Sequence, residues 1–217
     1  MRSESVEDYL KQTYKLQTDN DQVSLSRLAE KLDVSAPSVT QMVKKLEKKG
    51  YLKYTPYQGI ALTEKGKRVA LEVIRHHRLL ELFLSEILGY PLEKVDAEAE
   101  KLEHVISEDF EEMMNKCLGN PKVDPHGDPI PTKDGKLSQR RYLILAEVAS
   151  GDTVVIKRVS DDNPEMVRYM NELGLLPSIK LKVISKDPFE GPIKIRIEKR
   201  ELTIGYKVAK AIFVDLA

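Results

Sequence analysis

Glu100, Glu103 and His104 fall three and four residues apart in a stretch with helical periodicity, so their side chains share one side of a helix. The apolar set Val95, Ala99, Leu102 and Ile106 lies on a separate side, rotated by about 130° at 100° per residue. Two carboxylates and an imidazole held apart from a hydrophobic stripe can bind a divalent cation, and hard oxygen donors favour manganese or ferrous iron over thiolate-seeking ions. An acidic helix face that is merely solvated is the alternative. Two further pairs add donors: His77 and Glu81, four apart in a long helical pattern, and Asp124 with His126, in a stretch whose backbone can curl around an ion. For His77 the bland reading is a core histidine, for His126 a turn residue beside Gly127, and His76 reads as an exposed neighbour. The single cysteine, Cys117, excludes an internal disulfide and a multi-cysteine zinc site, and reads as core.

The elements that must hold these donors follow from periodicity and breakers. Val6, Tyr9, Leu10, Tyr14 and Leu16 predict a first helix with Glu7, Asp8 and Lys11 on its polar sides. Two short helices, 24–32 and 37–49, are separated by Asp33-Val34-Ser35-Ala36, and Gly50 ends the second. Short β-prone runs at 51–54 and 60–62 flank Pro56-Tyr57-Gln58-Gly59 and predict a hairpin. Thr63 is an N-cap for a long helix to about Leu88, stopped by Gly89-Tyr90-Pro91. Residues 92–118 predict two helices meeting near Ser107, and 119–135 a linker with Asn120-Pro121, Asp124-Pro125 and Asp128-Pro129-Ile130-Pro131. Beyond it the period changes to two: strands at 152–159, 179–185, 193–198 and 211–214 surround one helix, 164–173, capped by Gly174. Several short strands and one helix suggest a small barrel.

Two helices, a tight turn and a hairpin suit a winged helix-turn-helix, whose second helix enters a major groove. Ser35, Pro37, Ser38, Thr40 and Gln41 stand at the start of that helix, where they can meet phosphates or base edges; Lys44, Lys45, Lys48 and Lys49 follow with positive charge. Thr55, Tyr57 and Gln58 occupy the wing. A helical protein-interaction module with a solvated lysine face is the alternative.

The 217 residues carry 35 basic and 35 acidic groups, but the balance is uneven. Residues 1–75 hold 14 basic and 10 acidic groups, 76–136 hold 7 and 14, and 137–217 hold 14 and 11. A basic end, an acidic middle and a mildly basic tail imply three working parts. With 41% hydrophobic and 32% charged residues the chain reads as globular. No apolar run approaches the roughly 18 residues of a membrane span, and MRSESVEDY lacks the apolar core of a signal peptide, so a cytoplasmic protein is expected.

The order winged helix, long helix, Glu-x-x-Glu-His helix, His-Gly-Asp-Pro-Ile-Pro linker and C-terminal barrel resembles the diphtheria toxin repressor family of metal-dependent transcriptional repressors, over nearly the whole chain. The specific segments are Val34-Ser35-Ala36-Pro37-Ser38-Val39-Thr40, His77-Arg78-Leu79-Leu80-Glu81, Glu98-Ala99-Glu100-Lys101-Leu102-Glu103-His104-Val105 and Pro125-His126-Gly127-Asp128-Pro129-Ile130-Pro131. The resemblance implies a mainly α fold with a small β-barrel: a winged helix-turn-helix DNA-binding domain (1–72), a helical metal-binding and dimerisation domain with linker (73–136), and an SH3-like barrel similar to ferrous iron transport protein A (137–217). It implies a primary metal site of Asp8, Glu100, Glu103 and His104, and a second of His77, Glu81, Asp124, His126 and Asp161, with His77 shared and Asp96 a further candidate. Iron-selective members have methionine and cysteine where this chain has Asp8 and Glu100, so the resemblance is to the manganese-responsive branch, with Mn²⁺ the expected ion and Fe²⁺ the other candidate. Members holding a metal pair use a glutamate where this chain has Lys11, which implies a single primary ion.

Metal is then expected to tie the first helix to the Glu100–His104 helix, remove repulsion among the carboxylates and select the geometry that binds DNA. Val95, Ala99, Leu102, Ile106, Phe110, Met113 and Met114 are the expected homodimer stripe, and a two-fold pair of recognition helices would read a pseudo-palindromic double-stranded operator controlling metal-uptake genes. Two rivals are a winged-helix regulator that senses a small organic ligand through the barrel, and a metallohydrolase. The second lacks a His-Glu-x-x-His helix, a nucleophile with a paired base and a Gly-rich phosphate loop, so no enzymatic activity is expected.

Overall fold

Serine and asparagine oxygens start the short helices as the pattern requires: Ser24 Oγ accepts from the Arg27 amide at 3.2 Å, Ser35 Oγ from Ser38 at 3.4 Å, and Asn163 Oδ1 from Met166 at 3.0 Å. The computed structural model describes residues 2–17, 22–138 and 141–217. They form two compact units: Met1–His77 with Leu102–Glu108 and Pro131–Leu137, and Arg78–Lys101 with Asp109–Ile130 and Ser138–Ala217.

In the first unit, α1 (Glu4–Leu16), α2 (Leu25–Leu32) and α3 (Ala36–Lys48) precede the antiparallel hairpin of β1 (Leu52–Thr55) and β2 (Gly59–Leu62). Asp33 takes the left-handed conformation (φ 52°) that ends α2 and turns the chain into α3. One apolar cluster joins them: Val6, Tyr9 and Leu10 of α1, Leu28 of α2, and Val39, Val43 and Leu46 of α3, with Leu52 and Ile60 from the hairpin. A shift of α1 is therefore felt by α3 through packed side chains. Thr63 Oγ1 caps α4 (Glu64–Glu86) by accepting from the Gly66 amide at 3.2 Å. A Cβ at Gly66 would stand 1.9 Å from the Tyr51 carbonyl, so only glycine lets α4 start this close to the hairpin.

The two helices expected over 92–118 do meet near Ser107, though the first ends earlier, at Leu102. α5 (Leu92–Leu102) stops at Leu102, the Val105 amide closes a turn onto the Leu102 carbonyl, and α6 (Glu108–Cys117) begins after it. The β-branched pair Val105-Ile106 disfavours the helix, while Ser107 suits the position before a new one. Glu103 and His104 thus stand in a turn just past the end of α5, the helix that carries Glu100. Cys117, expected in the core, is exposed as the last residue of α6.

The C-terminal residues form a six-stranded antiparallel sheet in the order β3-β8-β4-β5-β6-β7. Its strands are β3 (Leu143–Ile144), β4 (Thr153–Val159), β5 (Lys180–Lys186), β6 (Ile193–Ile197), β7 (Arg200–Ile204) and β8 (Ile212–Leu216), with α7 (Pro164–Leu173) and α8 (Tyr206–Lys210) between them. The sheet is open in this order, its two end strands β3 and β7 not pairing with each other. Ile156, Val183, Ile195 and Val214 alternate inward onto α7's Met170. The register of β4 against β8 shifts between Ile156 and Arg158, a bulge at Lys157.

Candidate metal centres

In the first unit, α1 and the 103–104 turn bring four ionisable side chains into one chain of contacts. His104 Nε2 lies 2.9 Å from Asp8 Oδ1 and 3.4 Å from Glu103 Oε1, while His104 Nδ1 contacts Glu7 Oε2 at 2.8 Å. Glu4, Asp8 and His104 each offer a ligand atom within 4.8 Å of the others'. Glu103 is almost wholly enclosed; Lys11, itself completely buried, donates to its Oε1 at 2.5 Å and His77 Nδ1 to its Oε2 at 2.5 Å. Burial works against the Glu103 anion, but His77 and Lys11 outweigh it and hold its pKa below the usual value. His76, expected to be idle, donates Nδ1–H to the Glu103 carbonyl at 3.0 Å.

The second unit holds a second cluster. Glu81 on α4 and Asp124 and His126 of the linker are all buried, with ligand atoms within 4.8 Å of one another and His126 Nδ1 3.5 Å from Glu81 Oε1. Burial, then Glu81 and Asp128, raise Asp124 to about 8. Burial pulls His126 down, yet Glu81, Asp124 and Asp161 together lift it to about 9. Asp161, just past β4, thus reaches His126 electrostatically, and a carboxylate oxygen of Asp96 on α5 lies within 4.8 Å of one of Glu81.

The linker is bolted down around this cluster. Asp124 Oδ1 accepts from the amides of His126 and Asp128, both at 2.9 Å. Arg78 on α4 reaches Asp124 Oδ2 at 3.4 Å, Asp128 Oδ1 at 3.2 Å and the Pro129 carbonyl at 2.5 Å. Arg158 of β4 contacts Asp128 Oδ2 at 3.4 Å, and the Val159 amide donates to the His126 carbonyl at 2.9 Å. Gly127 (φ +92°) passes so close to the β4 bulge that a Cβ there would stand 2.0 Å from the Lys157 carbonyl.

Both donor sets fit a hard divalent cation. Metal–ligand bonds of about 2.0–2.6 Å place opposite ligand atoms roughly 4–5 Å apart, which matches both clusters, and every donor is an oxygen or an imidazole nitrogen. Carboxylates buried together are also a charge excess that a cation relieves. Of the expected ligands, Asp8, Glu103 and His104 meet in the first unit, and Glu81, Asp124 and His126 in the second. His77 sides with Glu103. Glu100 is exposed on α5, in the second unit. The reading of residue types passed over Glu4, Glu7, Arg78, Asp128 and Arg158; the arginine directly after His77 and the second aspartate of Asp-Pro-His-Gly-Asp were the available signals.

At the basic end, Ser35, Pro37, Ser38, Gln41, Lys44, Lys45 and Lys48 are exposed and Thr40 half-buried, all along one helix. Ser35 Oγ and Ser38 Oγ pair at 2.8 Å, and Thr40 Oγ1 donates to the Ala36 carbonyl at 2.9 Å. Tyr57 projects fully into solvent from the hairpin tip. The apolar stripe divides: Val95, Ala99 and Met114 are buried in the chain's own interior and Leu102 and Ile106 partly so, which leaves Phe110, Met113 and Val105 (76% exposed) as open apolar surface.

Known proteins carry the same plan. Residues 1–60 match the iron dependent repressor N-terminal DNA binding domain, 63–132 the iron dependent repressor metal binding and dimerisation domain, and 144–216 the FeoA domain. The iron-dependent repressor IdeR of Mycobacterium leprae is 31% identical over 224 residues, covering 98% of this chain and 97% of that protein. The chain belongs to the iron-dependent repressor family, that of the diphtheria toxin repressor. Among solved structures, this repressor is similar to a manganese-dependent transcriptional repressor in complex with manganese (36% identity, TM-score 0.90, 98% of this chain and 100% of that one). It is similar also to the manganese regulator SloR (36% identity, TM-score 0.75, 98% of each chain). As a repressor of this family it is a metal-dependent DNA-binding regulator and not an enzyme. Among its described residues no helix is long and apolar enough to cross a membrane.

Proposed function

We propose that this repressor senses Mn²⁺, with Fe²⁺ the other ion its donors accept, and that it acts in the cytoplasm as a homodimer on a pseudo-palindromic double-stranded operator of metal-uptake genes. The observation that carries the reading is the buried Glu81–Asp124–His126 cluster. It contains no sulfur, its two carboxylates are enclosed together, and it is tied by Arg78 and Arg158 to α4 and β4. Glu4, Asp8, Glu103 and His104 are the second candidate set, on α1 and the 103–104 turn. Glu100, Asp96, His77 and Asp161 are flanking candidates.

A bound divalent cation supplies concentrated positive charge among carboxylates that otherwise repel one another. The chain's own residues carry the consequence. Asp8 and His104 join α1 to the turn, and α1 packs through Tyr9 and Leu10 onto Leu28 and Val39, so the position of α3 depends on that of α1. Ser35, Ser38, Lys44, Lys45 and Lys48 then meet phosphates, and Gln41 a base edge. The exposed Val105, Phe110 and Met113 are the proposed dimer surface. We assign the divisions 1–72, 73–136 and 137–217 to DNA binding, metal binding with dimerisation, and an SH3-like fold, the last supported by the short, bulged antiparallel strands.

Replacing Asp124 by Asn or Glu81 by Gln should abolish Mn²⁺-dependent retention of a DNA fragment selected from a random library with the wild-type protein. An unchanged response to Mn²⁺ in both variants would sink the assignment, and retention that depends on a small organic ligand and ignores chelator would favour the rival sensor.

A further inference from the structure

Lys65, Arg68, Val69 and Glu72 follow one another at helical spacing, so they share one face of the first turns of α4. With Arg2 and Tyr51, all in the first unit, they line a cavity of about 310 Å³. Its lining carries three cations and one anion. Glu72, one turn beyond Arg68, is taken by Arg2, whose Nη2 donates to it at 2.5 Å while Nε donates to Glu7 at 3.0 Å. Arg68 is thereby left without a carboxylate, and among the described residues no hydrogen bond or ion pair engages its guanidinium. Lys65 is held by neutral groups: it donates to the Lys49 carbonyl at 2.9 Å, and its ammonium lies 4.4 Å from the centre of the Tyr51 ring. Buried Val69 and half-buried Tyr51 make the apolar part of the lining. Two positive charges thus stand one helical turn apart, without anionic partners, beside apolar surface in a concave site.

We propose that this cavity binds a small organic phosphate, its dianion between Lys65 and Arg68 and the rest of the molecule against Tyr51 and Val69. A phosphate monoester concentrates a charge of about −1.5 to −2 at pH 7 on one tetrahedral centre. That matches two cations whose Cβ atoms are roughly 5–6 Å apart on one helix face, whereas a single carboxylate would match only one of them. The guanidinium fork engages two phosphate oxygens and the ammonium acts as a point charge on a third. The volume is that of a small-ligand site. A duplex is the poorer occupant, because Glu72 in the lining opposes a polyanion and Lys49, beside the cavity, lies about 16 Å along α3 from Ser38. The site is built from residues other than the candidate metal ligands and does not rest on the metal reading.

The test uses the full chain in chelator, where no free Mn²⁺ complexes the probe, and follows backbone amide shifts by NMR. The probes are adenosine monophosphate, glucose 6-phosphate and inorganic phosphate. Saturable shifts should centre on Tyr51, Lys65, Arg68 and Val69. At least one organic phosphate should bind about 10-fold or more tightly than inorganic phosphate, since only it covers apolar lining; preference for the nucleotide would mark a flat ring as the body of the ligand, and preference for the sugar phosphate a sugar. Arg68→Gln alters an exposed side chain with no partner, so it should melt as wild type does and lose about 10-fold or more in affinity, and Lys65→Gln should lose as much. Equal affinity for all three probes would mean an adventitious ion only and would overturn the proposal, as would wild-type affinity in both variants or shifts centred on Ser35–Lys48. If Arg68→Gln leaves the phosphate shifts intact and instead lowers the salt slope of DNA binding, the cavity is a contact for the DNA backbone and the proposal fails.

Discussion

Loading the second-unit cluster must expel protons. Without metal, Asp124 is raised to about 8, chiefly by burial and by Glu81, and His126 is held near 9 by Glu81, Asp124 and Asp161 against the pull of burial. At pH 7 the first is then roughly 90% protonated and the second about 99%. A metal ligand must present a carboxylate or a neutral imidazole, so each bound ion displaces these protons. Because Glu81 and Asp124 sustain the His126 proton and the ion neutralises both, the release at pH 7 lies between about one and two protons per ion. Apparent affinity should then rise about 5- to 50-fold between pH 7 and 8 and level off above about 9. The assay is calorimetry of Mn²⁺ binding to Asp8→Asn, which removes a first-unit ligand, in buffers of different ionisation enthalpy; the slope of heat against that enthalpy counts the protons. The same groups fix the sign for stability. His126, raised in the fold, stabilises the metal-free protein fully below about 6.5 and loses that contribution as pH rises through about 9, while raised Asp124 loses its contribution from about 4 up to about 8. Metal-free protein should therefore melt at lower temperature at pH 9 than at pH 6, and Mn²⁺ should close the gap. Heats independent of buffer, with affinity flat from pH 6.5 to 8.5, would refute the reasoning.

Gly127→Ala forces a Cβ to within 2.0 Å of the Lys157 carbonyl at φ +92°; strain and overlap together of about 2–5 kcal/mol should displace the linker and weaken second-unit Mn²⁺ binding at least about 30-fold, with helical circular dichroism kept. Lys44→Ala should weaken binding to all DNA sequences and lower the salt slope by about one, whereas Gln41→Ala should chiefly relax base preference; matching behaviour of the two would contradict the division between phosphate and base contacts. Met113→Glu places a charge on a side chain that is 63% exposed, and sedimentation should show a monomer at micromolar concentration where wild type with Mn²⁺ is a dimer.

The DNA-binding helices were legible because caps, breakers and the 3.6 period agreed: Ser24, Ser35 and Gly50 stand where the helix ends fall. Donor types were legible too, since Asp124-Pro-His-Gly-Asp concentrates them in a stretch that cannot be helical. What escaped was set by tertiary contacts. The pattern puts Lys11 on the polar side of α1, and only the 103–104 turn, some ninety residues later, covers it. The turn itself escaped because periodicity runs on across Leu102, so the residues on either side of it read as one continuous helix. Strand β7 begins with Arg200-Glu201 at the sheet edge, where no alternation is enforced, and α8 has five residues, too few to show a period.

Fluorescence anisotropy of a selected operator fragment, titrated with the protein in chelator, then with Mn²⁺, then with chelator restored, tests the central claim most directly. The account predicts weak, salt-sensitive binding in chelator, tight binding on addition of Mn²⁺, full reversal when the ion is removed, and loss of the Mn²⁺ effect in Asp124→Asn. Equal affinity in chelator and in Mn²⁺ would contradict it.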